Sequence, residues 1–93
     1  MTDPVAPYEL RVSPSAVRRL DELPEGTAAA IVEFMTTVLV EHPHRVGGRL
    51  QRELAGLHSA RRGAYRVVHE IDDGQRVVSV LRIDHRSQVY RPR

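Results

Sequence analysis

The sequence has 93 residues, which is enough for one domain and too few for two. Its 41% hydrophobic and 28% charged content is that of a folded globular protein and excludes an intrinsically disordered chain. Cysteine is absent, which excludes disulfides, a thiolate nucleophile and a cysteine-bound zinc.

The positive charge is all arginine and is unevenly placed. Three arginines and seven acidic residues precede position 43, whereas eleven arginines and five acidic residues follow it. The planar guanidinium binds phosphate through two parallel hydrogen bonds, so the second half indicates a surface for nucleic acid or for an acidic partner. A solvated basic sheet edge would give the same count.

The sequence contains no segment typical of export or membrane insertion. Residues 1–7 carry an aspartate and two prolines where a secretory signal has a basic region and an apolar run. The longest apolar stretch, 28–40, is interrupted by Glu33, Thr36 and Thr37 and is too short to cross a bilayer. We therefore expect a cytoplasmic protein that does not contact membranes.

The first half predicts a strand followed by two helices. Residues 8–13 alternate polar and apolar side chains, as a short strand does. Ser13 and Pro14 are typical of the start of a helix, and Pro24 marks its end. Apolar residues at helical spacing predict a second helix over 27–41. The two helices are expected to form an antiparallel hairpin.

The second half predicts a sheet, after a loop at 44–48. Alternating patterns predict strands over 57–62, 65–71 and 76–84. Asp73 and Gly74 favour a two-residue type I′ hairpin turn, in which both central residues have positive φ. A turn centred there places Ile71 opposite Arg76 and Arg66 opposite Leu81.

Directly opposed residues share a face of a sheet, so this register assigns the two faces. The face that covers the helices would carry Tyr65, Val67, His69, Ile71, Val78 and Val80. Arg66 would lie on the other face, where a charge needs water or an anion. The predicted fold is α+β, in one domain over 1–93: a β-α-α-β-β-β order with a helical hairpin packed on a curved, mostly antiparallel sheet.

The last third of the chain concentrates groups suited to cleaving RNA through its own 2′-hydroxyl. Arginines can bind the charge that develops on the phosphate, and histidine and tyrosine can transfer protons or orient the nucleotide, without a metal or organic cofactor. The same cluster also fits a basic docking surface for an acidic segment of a partner. Its members are Arg61, Arg62, Arg66, Arg82, Arg86, Arg91, His58, His85, Tyr65 and Tyr90.

Three further features have structural explanations. His42-Pro43-His44 has no third ligand nearby and predicts a loop that ends a helix. His69 is expected to be a partly buried core residue against the helices. Tyr65 is expected in the core because its neighbour Arg66 faces the other way.

The runs 57–68, 70–73 and 80–90 resemble the RelE toxins of bacterial toxin–antitoxin pairs. Residues 48–50 and 54–56 match the same pattern, so the resemblance covers nearly the whole chain from Tyr8. Its most specific elements are the Tyr65-Arg66 pair on a strand and the final His-Arg-x-x-x-Tyr at 85–90.

The resemblance implies a RelE-like toxin that docks in the A site of the 70S ribosome and cuts mRNA there. It also implies a cognate antitoxin, whose acidic, partly disordered segment wraps the basic surface in a hetero-oligomer. By position, Arg66 matches the phosphate-binding strand arginine, Arg86 the arginine of the late basic motif, and Tyr90 the tyrosine that places or activates the nucleotide. His85 is expected to carry a proton. The expected RNA- or phosphate-binding residues are Arg61, Arg62, His58 and Arg82.

The chain departs from the family pattern on the strand at 57–62. Relatives have lysines there as general acid or phosphate ligand, whereas this chain has arginine, histidine and serine. Arginine stays protonated above pH 12 and is a poor proton donor, so histidine is the better candidate for acid–base work. Two alternatives therefore stay open: a ParE-like inhibitor of DNA gyrase with the same fold, and a weakly catalytic toxin that acts mainly in autoregulation with its antitoxin.

Overall fold

A computed structural model describes residues 6–50 and 56–87. The strands form one five-stranded sheet in the order β1-β5-β4-β3-β2, in which β1 is parallel to β5 and the other pairs are antiparallel. The α+β class and the strand, helix, helix, sheet order are confirmed. In chain order the elements are β1 (Glu9–Val12), α1 (Pro14–Glu22), α2 (Glu25–Phe34) continued by a π-helical segment (Met35–Leu39), β2 (Gly47–Arg49), β3 (His58–Arg62), β4 (Tyr65–Asp72) and β5 (Val77–His85).

The predicted start of α1 is confirmed, and its cap also ties the helix to the sheet. The Ser13 hydroxyl accepts a hydrogen bond from the Ala16 backbone N–H at 3.1 Å, as an N-cap does. The same hydroxyl donates to the Leu81 carbonyl of β5 at 2.7 Å. Residue 13 therefore fixes where α1 leaves the sheet.

The second helix differs from the regular helix expected over 27–41. It begins at Glu25 and widens into the π-helical segment Met35–Leu39. Beside the widening, the Thr36 hydroxyl donates to the Val32 carbonyl at 2.9 Å and the Thr37 hydroxyl to the Glu33 carbonyl at 2.6 Å. Hydroxyls that bond carbonyls one turn back compete with the helical backbone bonds and loosen the turn.

The core lies between the helices and one face of the sheet, here called the helix-side face. A smaller cluster of Leu50, Val68 and Leu57 lies on the opposite, outer face. The helices and the sheet contribute to the main cluster Ala16, Ile31, Met35, Leu39, Ala60, Val67, Val78, Val80 and Ile83. No helix in 6–50 or 56–87 is long and apolar enough to cross a membrane.

Strand β2 lies where a loop was expected. Gly47 pairs with Ala60 and Gly48 with Ser59 on the neighbouring strand. A Cβ atom on Gly47 would lie 2.7 Å from the Ser59 carbonyl oxygen, so only glycine allows this close pairing. A glycine pair carries no alternating pattern, which is why the sequence did not indicate the strand.

The predicted register of β4 against β5 is wrong. The turn spans four residues, 73–76, so Asp72 pairs with Val77, and a bulge at Val68/His69 shifts the pairing once more. Neither central residue of the expected type I′ turn has positive φ; that conformation falls on Arg76, at 57°. The Asp72 carboxylate accepts a hydrogen bond from the Gln75 backbone N–H at 3.0 Å, which stabilises the wider turn.

The shift changes the partner of Arg66 but not its face. Arg66 lies opposite Asp84, where Leu81 was expected. Its neighbours Tyr65 and Val67 pack with the main core. Because side chains alternate along a strand, Arg66 lies on the outer face, as predicted.

Candidate active site

A tight turn sets the position of the arginines on β3 and β4. Gly63 and Ala64 connect the two strands, and Gly63 has φ 63°. A two-residue type II′ turn requires positive φ at its first central position, which glycine adopts without strain. The turn places Arg61 opposite Arg66 and Arg62 opposite Tyr65.

Three guanidinium groups share the outer face close to this turn. Arg61 and Arg66 are directly opposed on β3 and β4. Arg82 lies on β5 opposite Val68, one step further along the same face. Adjacent strands are only about 4.8 Å apart, so the three arginine side chains can reach one phosphate group or two consecutive phosphate groups. Arg61, Arg66 and Arg82 are called the arginine cluster below.

An aspartate that the sequence did not single out lies inside the cluster. Asp84 is opposite Arg66 on the outer face, and its Oδ2 lies 2.9 Å from Nε of Arg82. Alternation along β5 puts Asp84 on the same face as Arg82, but its position opposite Arg66 depends on the bulge at Val68/His69, for which the sequence carried no signal. The cluster therefore combines three positive charges with one negative charge.

Arg86 reaches the same end of the sheet from the residues that follow β5. Its backbone N–H donates to the Ala64 carbonyl at 2.8 Å, which fixes it beside the β3–β4 turn. The residue is exposed. Tyr90 and Arg91 lie outside the described residues.

His85 is near this end but on the other face. It is paired with Tyr65, and the two rings meet edge to face with centroids 5.5 Å apart. Tyr65 packs against the main core, as predicted, so His85 is on the helix-side face with Arg62 as the next neighbour across the sheet. The structure does not bring His85 into the arginine cluster.

The proton position on His85 follows from its contacts. The backbone N–H of Ser87 donates to Nδ1 at 3.3 Å, and the Ser87 hydroxyl lies 3.0 Å from the same atom. Nδ1 therefore acts as an acceptor, and the neutral ring carries its proton on Nε2. In this tautomer His85 can donate a hydrogen bond through Nε2.

His58 lies on the helix-side face, three residues before Arg61 on β3 and paired with His69 on β4, so it is separated from the arginine cluster by the sheet. Its ring stacks on His69 with centroids 5.7 Å apart, and His44 meets its other side at 6.1 Å. We call His44, His58 and His69 the histidine column. Burial lowers the pKa of His58 below 6.5, with further lowering from His44 and Arg49.

His69 is completely buried, as a core residue. Its Nδ1–H donates to the Val67 carbonyl at 2.9 Å. Burial lowers its pKa below the ordinary 6.5, and His58 lowers it further, against the opposing effect of the hydrogen bond to Val67. His69 therefore stays neutral in the folded protein near neutral pH.

Asp73, in the β4–β5 turn, lies next to His44 at one end of the histidine column. It accepts hydrogen bonds from the Tyr8 hydroxyl at 2.6 Å and from His44 Nε2 at 2.7 Å, and both lower its pKa. The described parts of the chain contain no group of three His, Asp or Glu side chains arranged to hold a metal ion. His42 and His44 occupy the residues after the helix, in line with the expected loop.

The sequence and the fold match those of known toxins. Residues 10–90 match the family model described as ParE toxin of the type II toxin-antitoxin system, parDE. Toxin RelE of Mycobacterium tuberculosis is 51% identical over 85 residues, which are 91% of this chain and 88% of the relative. Toxin RelG of the same organism is 49% identical, with 91% and 98% covered.

Solved structures agree with the sequence relatives. The toxin–antitoxin complex RelBE2 from Mycobacterium tuberculosis contains a chain with 49% identity and a TM-score of 0.83, with 87% of this chain and 100% of that chain covered. The RelE–RelB complex from Pyrococcus horikoshii, at 22% identity and a TM-score of 0.71, shares the fold, with 90% and 100% covered. The protein is thus a toxin of a type II toxin–antitoxin system. It belongs to the RelE/ParE family and has the RelE-like fold.

Proposed function

We propose that this toxin is a metal-independent endoribonuclease that cuts mRNA in the A site of the 70S ribosome. The observation that carries the proposal is the arginine cluster, in which Arg61 and Arg66 are directly opposed and Arg82 lies one step away on the outer face. Arg86, which follows β5, is held beside them by its backbone bond to Ala64 in the β3–β4 turn. Four guanidinium groups at one end of a small sheet suit a phosphate that gains negative charge during reaction.

In the proposed reaction the 2′-oxygen of the RNA loses its proton to solvent water and attacks the adjacent phosphorus. The bond from phosphorus to the 5′-oxygen then breaks, and that oxygen takes up a proton from solvent, which leaves a 2′,3′-cyclic phosphate and a 5′-hydroxyl. Arg66, with Arg61 beside it, is assigned to the phosphate oxygens because their charge is greatest at the five-coordinate stage.

His85 has no direct proton-transfer role at the phosphate in this proposal, because its ring lies on the helix-side face whereas the arginine cluster lies on the outer face. With its proton on Nε2, His85 can donate a hydrogen bond to RNA that passes the end of the sheet. His58 also lies on the helix-side face, stacked on His69, and we assign it no part in the reaction. We assign placement or activation of the nucleotide to Tyr90, on the match of its position to the family motif.

We further propose that a cognate antitoxin neutralises the toxin. A relative at 49% identity was solved as a toxin–antitoxin complex. A partly exposed arginine cluster attracts a disordered acidic segment that folds on binding. Such a segment would cover the arginines and exclude RNA.

The test is primer-extension mapping of mRNA in a purified translation system. Wild type is compared with Arg66→Ala and Arg86→Ala, and Arg18→Ala, an exposed arginine on α1, is the matched control. We expect cuts inside codons that require ribosomes, that disappear with the first two variants and that persist with the third. A folded wild-type protein that makes no cuts, or an Arg66→Ala variant that cuts at the wild-type rate, would overturn the proposal.

The family model supports one other function, because it is described by the ParE toxin. A ParE-like protein would inhibit DNA gyrase through binding and would need no phosphate-cleaving site. Inhibition of gyrase supercoiling by the wild type, together with intact mRNA in the translation assay, would establish this alternative.

A further inference from the structure

The arginine cluster of the free toxin already holds an anionic group of its own. The Asp84 carboxylate contacts Arg82 at 2.9 Å and lies opposite Arg66 across the β4–β5 ladder. A carboxylate and a phosphate bind guanidinium groups through the same geometry. An RNA phosphate that binds Arg82 therefore competes with the Asp84 carboxylate for the same guanidinium.

The contact is not explained by stability. The Arg82 side chain is 42% exposed and the Asp84 side chain 22% exposed. Ion pairs at partly solvated positions contribute little to folding. The contact at Nε of Arg82 is moreover an ion pair without hydrogen-bond geometry.

We propose that Asp84 sets the affinity of the arginine cluster for RNA. It pairs with Arg82 in the free toxin, and an RNA phosphate must displace it from Arg82 and tolerate its charge. Asp84 therefore keeps binding to free RNA weak, so that RNA held in place by other contacts is favoured over RNA met in solution. This inference rests on the proposed function only in taking RNA phosphate as the ligand.

The test measures binding of a short single-stranded RNA with 2′-O-methyl groups, which cannot be cleaved, to the purified toxin without ribosomes. Asp84→Asn removes the charge and keeps the shape. We expect it to bind about five- to tenfold more tightly than wild type at low salt, since a like charge a few ångströms from the phosphate is removed. The gain should shrink as added salt screens the charges.

Two comparisons make the result specific to the cluster. Asp72→Asn carries the same charge change on the same face at the far end of β4, about 20 Å from Arg66, and should leave affinity unchanged within about twofold. The second comparison repeats Asp84→Asn in a protein that already carries Arg82→Ala. The increase in RNA affinity, expressed as a logarithm, should then be less than half of that in the wild-type background, because Asp84 no longer has to be displaced from Arg82.

Each outcome decides the inference. Equal or weaker RNA binding by Asp84→Asn overturns it, as does a gain that is undiminished without Arg82 or that Asp72→Asn reproduces. The binding result does not depend on cleavage. If the toxin cuts mRNA on ribosomes but Asp84→Asn does not change its RNA affinity, the proposed function stands and this inference is wrong. If the affinities change as expected but the toxin cuts no mRNA, this inference stands and the proposed function is wrong.

Discussion

The two ends of the central sheet carry similar polar side chains in opposite arrangements. At the β4–β5 turn, Asp73 is hydrogen-bonded to Tyr8 and His44, and the Arg76 guanidinium lies 4.3 Å from the centroid of the Tyr8 ring. Arg76 also donates to the Ala6 carbonyl. Charges at this end are used within the fold.

At the β3–β4 turn the balance is different. Arg61, Arg66, Arg82 and Arg86 share that end of the sheet with the Asp84 carboxylate. An excess of one sign on one small surface attracts ligands of the other sign. Balanced charges thus mark the end that holds the fold together, and excess positive charge marks the end suited to a substrate.

The largest expected effect is the difference between replacing an arginine by alanine at one end of the sheet and at the other. Arg66→Ala should reduce ribosome-dependent cleavage by about 100-fold or more, because a donor to the developing phosphate charge is lost. Arg76→Ala should leave the cleavage rate within about twofold, while it lowers stability by about 0.5 to 1 kcal/mol through loss of the contact with Tyr8. Cleavage rates and urea unfolding of both variants check this. Equal loss of activity in the two variants would show that the ends are not separate.

The second prediction concerns pH and the histidine column. The folded state lowers the pKa of His69 and His58 below 6.5, so below that pH the unfolded chain binds more protons than the folded one. The free energy of unfolding should be at its full value above about pH 7. It should fall as the pH drops through 6.5, by up to about 1.4 kcal/mol per pH unit for His69. Urea unfolding between pH 7.5 and pH 5 measures the slope.

Two variants locate the source of that slope. His69→Gln removes the buried imidazole and should flatten the dependence on pH. His58→Gln should flatten it less, since this ring is only partly buried. A slope that survives His69→Gln unchanged would reverse the assignment.

The smallest effect compares glycines in the turns at the two ends. Gly63 has φ 63°, so Gly63→Ala should destabilise the protein by about 1 kcal/mol through backbone strain. Gly74 lacks positive φ, and a methyl group there would meet a side-chain oxygen of Asp72 at 3.5 Å, an ordinary contact distance. Gly74→Ala should therefore change stability by less than about 0.5 kcal/mol. Thermal unfolding of both variants tests the difference; a larger loss at Gly74 would contradict the turn assignment.

The sequence predicted the parts of the fold that local patterns determine. Ser13 and Pro14 marked the start of α1, and alternation along β4 placed Arg66 on the outer face and His69 in the core. Local patterns do not encode long-range register. The four-residue turn and the bulge at Val68/His69 follow from contacts between strands, and they bring Asp84 opposite Arg66.

The sequence predicted which arginines belong to the candidate site, but it did not predict how the site is arranged. Arg61, Arg66, Arg82 and Arg86 do lie at one end of the sheet, whereas His58 lies in the histidine column and His85 on the helix-side face. Alternation along β4 was enough to show the face of Arg66. The face of Arg82 and Asp84 depends on the bulge, which only the pairing of strands shows.

A titration of the arginine side chains with uncleavable RNA shows most directly which end of the sheet binds phosphate. The Nε–Hε signals of isotopically labelled toxin are followed by NMR as the 2′-O-methyl RNA is added. We expect the signals of Arg61, Arg66 and Arg82 to shift first and most, while those of Arg11 and Arg76 at the other end stay within error. Largest shifts at Arg11 or Arg76, with the arginine cluster unchanged, would contradict the assignment of RNA binding to the β3–β4 end.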